Sequence, residues 1–300
     1  DLILNQIATF PEIGKEILAK TMTLTLGSSA AIFASNLSSL GAKVAFLGKI
    51  GKDVFGSLVL ESLEKKGVDT SLIIQSDSLN TGATVVLNFD QDRANITHAG
   101  AMDHLTIDDI GPDKFKGCKH LHFSSYFLQT GLKKDIARLF SEAKKAGLTT
   151  SFDVQWDPWE KWDLDLKNVL PYVDVFLPNE KELMKLTGRN TLESAIDSIK
   201  GFANTIVVKL GSKGSASYHK GQLVTIPAFI NEQVVDAIGA GDSFNAGFVY
   251  KFIQGAPIET CQQYGNLMGA ISTTAAGGTA AFTDKKNIMK NAKERFGFSE

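Results

Sequence analysis

Asp236-Ala237-Ile238-Gly239-Ala240-Gly241-Asp242-Ser243-Phe244-Asn245-Ala246-Gly247 is the stretch on which the reading of this chain turns. Small residues lead into an apolar segment, and the pattern predicts a helix over 240–254 whose start carries the glycines. The start of a helix leaves backbone N–H groups without partners, and the helix dipole adds partial positive charge there. Glycine lets an anion come close to those groups. Gly239, Ala240 and Gly241 are therefore candidate donors to a phosphoryl group. Asp242 sits inside the same hole. A carboxylate is a poor phosphate ligand but a sensible base: it takes the proton of a hydroxyl whose oxygen then attacks the phosphorus held at the amides. On these residues alone a plainer reading stays open. In it the glycines merely permit close packing, and Asp242 is an ordinary acidic residue of a first helical turn.

Away from this stretch, apolar strands alternate with helices. Helices are expected over 30–40, 54–66, 133–146 and 258–275, the second and third stopped by Gly67 and Gly147. Strands are expected over 43–47, 120–123, 149–153, 173–177 and 205–210. That alternation implies a parallel sheet covered by helices on both faces. Two segments, 2–26 and 81–98, break the rhythm and carry no helix. They look like antiparallel strands, with Asp90-Gln91-Asp92-Arg93 as a hairpin turn. We read them as a small β-lid on the α/β body; edge strands of the main sheet are the alternative. No repeat, low-complexity tract or long linker divides the chain, so one domain over 1–300 is expected.

Composition narrows the function. Hydrophobic residues make up 43% of the 300, enough to bury a large core and to exclude disorder. The net charge of −2 offers no basic excess for nucleic acid or an anionic membrane, so any phosphate recognition must be local. The two cysteines, Cys118 and Cys261, form no CxxC, which argues against a disulfide scaffold or zinc site and suits a reducing, cytoplasmic setting. No apolar run reaches membrane-spanning length and no secretory signal is visible, so no membrane partner is expected. The opening Asp1-Leu2-Ile3-Leu4, without methionine, reads as a chain that has lost a short strand before it. Other phosphate-binding patterns fail on the residues: Ser57 stands where a P-loop needs lysine, and Phe244 where a GxGxxG needs its last glycine.

The 236–247 stretch resembles the second signature of the pfkB carbohydrate kinase family, the ribokinase-like sugar kinases, with Ala237 and Ile238 as its departures. Gly27 to Gly41 with the following 42–56 looks like the first signature. Asn179-Glu180-Lys181-Glu182 looks like the family's N-x-x-E motif, and Val208-Lys209-Leu210-Gly211-Ser212-Lys213-Gly214 like its nucleotide-binding strand and turn. The resemblance covers essentially the whole chain. It implies a ribokinase-like three-layer α/β sandwich with a mostly parallel central sheet and a small β-lid. It also implies ATP-dependent phosphorylation of a primary hydroxyl on a small carbohydrate, fructose- or ribose-like. An adenosine-type nucleoside kinase is the alternative, for which the apolar Ile32-Phe33 wall leaves room. A catalytically silent sugar-binding protein on the same fold is another, and a nicotinamide dehydrogenase a distant third.

Residue by residue, Asp242 is the expected base, with the amides of Gly239, Ala240 and Gly241 around the transferring phosphoryl group. Asn179 and Glu182 follow a strand at its carboxyl end, where ligands bind in open α/β sheets, and their oxygens suit the waters of Mg²⁺. They equally suit a helix N-cap and its capping box. The resemblance places Lys209, Gly211 and Gly214 near the nucleotide, Asn266 near its base, and the 272–278 segment near ribose and phosphates. For a monovalent cation such as K⁺, the matching positions are Asp236, Ile238, Ser272, Ala275, Gly277 and Ala281. On the sugar side the resemblance points to Asp1, Gly27 and Ser28, with Ile32 replacing a sugar-contacting Asn, and to Asp153 beside Asp242. Gln155 and Asp157 stand where fructokinase-like members carry Asn and Arg, and the missing Arg counts against an acidic sugar such as 2-keto-3-deoxygluconate. Trp156, Trp159 and Trp162 read either as a sugar-stacking surface or as core. His120 and His122 read as buried strand residues, His98 as a lid residue within reach of substrate, and Arg93 as a solvated turn residue. Lid strands in this family pair between subunits, so a homodimer is expected. Val85, Val86 and Leu87 suit that role or packing onto the body.

Overall fold

A computed structural model describes residues 1–89 and 92–299. The strands are β1 (Leu2–Asn5), β2 (Thr21–Leu24), β3 (Gly48–Gly51), β4 (Ile73–Ser76), β5 (Ala83–Phe89), β6 (Asp92–His98), β7 (His120–Ser124), β8 (Thr149–Asp153), β9 (Val175–Phe176), β10 (Thr205–Lys209), β11 (Ser215–His219) and β12 (Gln222–Ile226). The α-helices are α1 (Ser29–Ser39), α2 (Val54–Lys65), α3 (Ile136–Lys145), α4 (Leu166–Val169), α5 (Glu180–Thr187), α6 (Leu192–Ile199), α7 (Ala240–Phe252), α8 (Ile258–Ser272) and α9 (Lys285–Phe296).

Strands β9 and β10 are apolar at every central position because both of their faces are covered. Phe176, Ile206 and Val208 face one core cluster, which includes Phe140 of α3, Leu183 of α5 and Ile196 of α6. Val175, Leu177 and Val207 face the other, which includes Leu37 of α1, Phe248 of α7, Leu267 of α8 and Ile288 of α9. The result is helix, sheet, helix in three layers. The central sheet runs β12-β11-β10-β9-β8-β7. Strands β7 to β10 are parallel, and β11 and β12 add an antiparallel edge. This is the expected ribokinase-like architecture.

Segments 2–26 and 81–98 build a separate four-stranded sheet, ordered β2-β1-β5-β6. Strands β1 and β5 pair in parallel, Leu2 opposite Val85, while β5 and β6 form an antiparallel hairpin closed by Phe89 opposite Asp92. Residues 90 and 91 of the expected turn lie outside the described residues. Ile3, Val86 and Ile238 form a small buried cluster, which packs this sheet onto the loop leading into α7. Val86 and Leu87 are thus used within the chain and are not free to face a second copy.

The strand expected over 43–47 is displaced. Only Ala45 bridges, to Asp69, and the regular strand is β3, paired in parallel with β4. Phe46 N–H donates to the Asp69 carbonyl, but the partner chain then turns, with Ile73 N–H returning to Thr70, so the ladder breaks before it resumes. The helix expected from 133 begins at Ile136, because 130–135 is wound as tighter 3₁₀ turns. No helix among the described residues is long and apolar enough to cross a membrane.

Candidate active site

The glycine stretch opens α7 as expected. Gly239 is the N-cap with φ +72°, a left-handed conformation that favours glycine, and an added Cβ would lie 2.6 Å from Gly278 Cα. The loop 236–239 is tied to the loop before α9 by Asp236: one carboxylate oxygen accepts from Ile238 N–H and the other from Gly277 N–H, both at 2.9 Å. Ser243 Oγ donates to the Gly239 carbonyl, and Asn36 Nδ2 donates both to Ser243 Oγ and to the Gly278 carbonyl. Ile32, one turn earlier on α1, packs on Gly239 and Gly278. The glycine turn is therefore held from two sides. The Ala240 amide already donates to Ala237 at 3.3 Å, so Gly239 and Gly241 are the better placed donors for an anion.

Asp242 is only 7% exposed. Burial, reinforced by the charge of Asp153, pushes its carboxyl up to about 7, against the pull of Lys209 and of a hydrogen bond from Gln155. Asp153, at the end of β8, is fully buried and its Oδ2 collects three donors: Lys209 Nζ at 2.6 Å, Asn245 Nδ2 at 2.5 Å and Gln155 Nε2 at 3.1 Å. Gln155 Nε2 also donates to Asp242 Oδ1 at 3.1 Å. Burial opposes the charge on Lys209, but Asp153, Glu182 and Asp242 outweigh it and hold the ammonium above its usual value. Its Nζ lies 3.7 Å from where a Cβ on Gly241 would be, beneath the glycine turn.

Glu182 completes the cluster at the start of α5. Its Oε2 accepts from Asn179 N–H at 2.8 Å and Asn179 Oδ1 accepts from Glu182 N–H at 2.9 Å, a reciprocal capping box. The capping reading is thus realised. Burial, then the nearby Asp153 charge, raises the Glu182 carboxyl to about 7, more than a solvated cap requires. Both roles are compatible, because a carboxylate has lone pairs beyond the one that caps.

Other expected residues separate into groups. Asp1, Gly27 and Ser28 come together: a Cβ on Gly27 would overlap the Asp1 carboxylate, 2.0 Å from Oδ1, and Ser28 takes φ +64° as N-cap of α1. Gly214, at φ +99°, is needed because a Cβ would fall 2.1 Å from the Ile226 carbonyl, whereas Gly211 faces open space. Asn266 uses its amide on the Ile226 and Pro227 carbonyls at 3.1 Å, which fixes the end of β12 against α8. Among the cation positions, Ser272 Oγ is buried without a partner among the described residues, while Ala275 and Ala281 offer backbone only.

The remaining expectations are mostly settled by packing. Phe33 stacks on His122 at 3.8 Å within the core, so it forms no open wall for a nucleoside base. Asp157 is fully buried and accepts from the amides of Trp159, Lys161 and Trp162, pinning the tryptophan loop. Trp162 packs on Phe127 in the core, while Trp156 and Trp159 are 43% and 54% exposed. His120 and His122 are half-buried on β7 and share Ser151 Oγ, as strand residues, and His98 is exposed on β6. Sequence reading gave no role to Asn245 or Asn36. Asn245 lies three residues after Asp242, one helical turn on, and that spacing was the available signal. For Gln155 the signal was its place where the resemblance has an Asn, two residues after Asp153.

Comparison with known proteins adds a family. A family model described as pfkB family carbohydrate kinase matches residues 1–285. An uncharacterized sugar kinase of Archaeoglobus fulgidus is 30% identical over 239 residues, covering 78% of this chain and 92% of that protein. A ribokinase of Arabidopsis thaliana is 30% identical over 307 residues, covering 96% and 77%. The solved structure of Arabidopsis thaliana ribokinase complexed with ribose and ATP superposes with a TM-score of 0.81 at 25% identity, covering 99% of this chain and 96% of that one. Family, fold and the buried acid beside the glycine turn agree, and the chain belongs to the pfkB family of carbohydrate kinases, phosphotransferases whose acceptor is an alcohol group.

Proposed function

We propose that this chain transfers the γ-phosphoryl group of ATP to a primary hydroxyl of a small carbohydrate, fructose- or ribose-like, with Asp242 as the base. The observation that carries the reading is Asp242 itself: a buried carboxylate, raised to about 7, in the first turn of a helix whose N-terminal glycines are held open. A base poised near neutrality transfers a proton most effectively at neutral pH. Asp242 takes the hydroxyl proton, the alkoxide oxygen bonds to the γ-phosphorus, and the bond to the β–γ bridging oxygen breaks with its electrons leaving on ADP. The amides of Gly239 and Gly241 and the Lys209 ammonium offset charge on the transferring group. Asp1, Gly27, Ser28 and Asp153 are the proposed sugar side, and Lys209, Gly211, Gly214 and Asn266 the proposed nucleotide side.

The donor set suits Mg²⁺, a hard ion that keeps its waters: Glu182 and Asn179 present oxygens at the carboxyl end of the sheet. When bound, Mg²⁺ neutralises phosphate charge. The orphan Ser272 Oγ and the carbonyls of the Asp236–Ile238 and Ala275–Ala281 loops similarly support a K⁺ site, for which Asp236 organises the backbone. The four-stranded sheet is proposed as a lid that excludes water, which otherwise competes as acceptor. Exposed Met22, Leu24 and Ile96 on that sheet support a homodimer through the lid, and unpaired Cys118 and Cys261 support a cytoplasmic setting. The test is ADP release with Mg-ATP across fructose, ribose, other ketoses and aldoses, 2-keto-3-deoxygluconate and adenosine. Turnover with a sugar, abolished in Asp242→Asn, is expected; turnover with adenosine alone, or equal turnover in the variant, refutes the proposal.

A further inference from the structure

Asp242 has two carboxylate oxygens, and they are not equivalent. Oδ1 accepts from Gln155 Nε2 at 3.1 Å, and the same nitrogen donates to Asp153 Oδ2 at 3.1 Å. One side-chain amide thus bridges two buried carboxylates, beside the Lys209 ammonium that pairs with one of them. Gln155 does this from a left-handed backbone at φ +61°, which non-glycine residues adopt at a cost of roughly 1–3 kcal/mol and keep where their surroundings impose it. The imposing contacts are local: Gln155 N–H donates back to Asp153 Oδ1 at 3.3 Å, and Asp157 pins the loop that follows. Gln155 is half-buried, with its backbone held by these hydrogen bonds. It aims the amide into the gap between the carboxylates.

We propose that Gln155 is a positioning residue that fixes the Asp242 carboxylate and leaves its Oδ2 as the oxygen that takes the acceptor's proton. The proposal rests on the kinase reading above. It makes no new bond: the hydroxyl proton passes to Asp242 Oδ2 while Oδ1 stays hydrogen-bonded to Gln155. A donor held on the ionised carboxylate also favours that form. The other charged groups acting on Asp242 are Asp153 from β8, which disfavours its ionisation, and Lys209 from β10 and Arg93 from β6, which favour it; Glu182 from α5 belongs to the same cluster. Removing the Gln155 donor with these in place shifts the base toward its protonated form.

Two variants test this: Gln155→Met, which keeps length without a donor, and Gln155→Glu, which keeps shape but adds an acceptor. Wild type and Asp242→Asn run beside them, with folding checked by melting temperature. The expected result has three parts. Turnover kcat falls by about 10²-fold, the loss typical of a misplaced catalytic group. The KM values for sugar and ATP hold. The acidic limb of kcat/KM moves to higher pH by about one unit, the size of a lost hydrogen bond to a charged group. A folded variant with wild-type kcat and an unmoved limb overturns the proposal while leaving the kinase reading intact. Parallel loss of kcat and rise of KM with an unmoved limb also overturns it, because that is what a merely structural residue does. Absence of turnover in wild type overturns both readings. If neither variant folds, Gln155→Asn, with the shorter amide, decides by the same limb.

Discussion

Lys209→Met removes the ammonium from a cluster of three carboxylates, Asp153, Glu182 and Asp242. The pair it breaks is buried on both sides: Lys209 Nζ sits 2.6 Å from Asp153 Oδ2, with side-chain exposures of 12% and 0%. In such a place the single substitution leaves an uncompensated charge. Asp153 keeps two neutral donors, Asn245 and Gln155, but its ionised form then faces Glu182 and Asp242 with no cation between them. Removal of one partner from a buried pair costs about 3–5 kcal/mol, while removal of both is often near neutral. Lys209→Met is therefore expected to lose about 3–5 kcal/mol, and Asp153→Asn with Lys209→Met to recover most of that. By thermal unfolding the single variant melts roughly 6–20 °C below wild type, at about 2–4 °C per kcal/mol. The full cycle of two single variants and the double, all at one pH, isolates the coupling. If the two single losses add to the double within about 0.5 kcal/mol, the pair is not coupled and the electrostatic account of the cluster fails. If Lys209→Met melts with wild type, the ammonium is not compensating Asp153 at all.

Three further outcomes are expected. Asp242→Asn keeps nucleotide affinity by calorimetry but loses about 10²–10⁴ in kcat, the range for a positioned general base; wild-type kcat would remove Asp242 from the mechanism. Because Asp242 is held at about 7 and must be ionised to act, kcat/KM for the sugar should climb about tenfold per pH unit below that value and flatten above it, so a flat profile from pH 5 to 8 refutes the assignment. Gly239→Ala forces a Cβ to within 2.6 Å of Gly278 Cα at a left-handed φ, and should cost about 1–3 kcal/mol of stability and more of the turnover, measured together; a stable, fully active variant would show that the glycine turn is not the phosphoryl site.

Helix α7 and its glycines were readable because the requirement is local: a φ of +72° and an anion at a helix start both write themselves into consecutive residues. The sandwich was readable for the same reason, as unbroken apolar runs at β9 and β10. The cluster around Asp242 was only half legible. Asp153 and Lys209 were each noticed, but their contact spans 56 positions, and that of Asp153 with Asn245 spans 92. Such pairs arise from strand order, β8-β9-β10, which no local pattern encodes. The role of Asp157 was illegible for a related reason. It stands where the resemblance has an Arg, and it serves as a buried acceptor for three backbone amides, groups that every non-proline residue carries whatever the sequence. Phe33 misled because an apolar residue beside a site looks the same whether it lines a cavity or stacks on His122.

The site also sets a stability cost whose sign is fixed. Asp242 and Glu182 titrate in the folded chain at about 7, against ordinary values of 3.8 and 4.5, and burial is the main cause in both. Below about pH 4 both states hold these protons and the site contributes nothing. Between about 4 and 7 the folded chain keeps protons that the unfolded chain has released, so stability falls as pH rises through that window and is level above it. The cost is incurred where the enzyme works, which is the pattern of a site kept for chemistry at the expense of stability. Asp242→Asn removes one of the two ionisations. It should therefore match wild type in melting temperature near pH 4 and exceed it near pH 8, while being far less active. If the difference in melting temperature is the same at both pH values, the raised carboxyl is not real. The base would then be an ordinary surface-like acid, and the neutral-pH catalysis assigned to Asp242 would need another source.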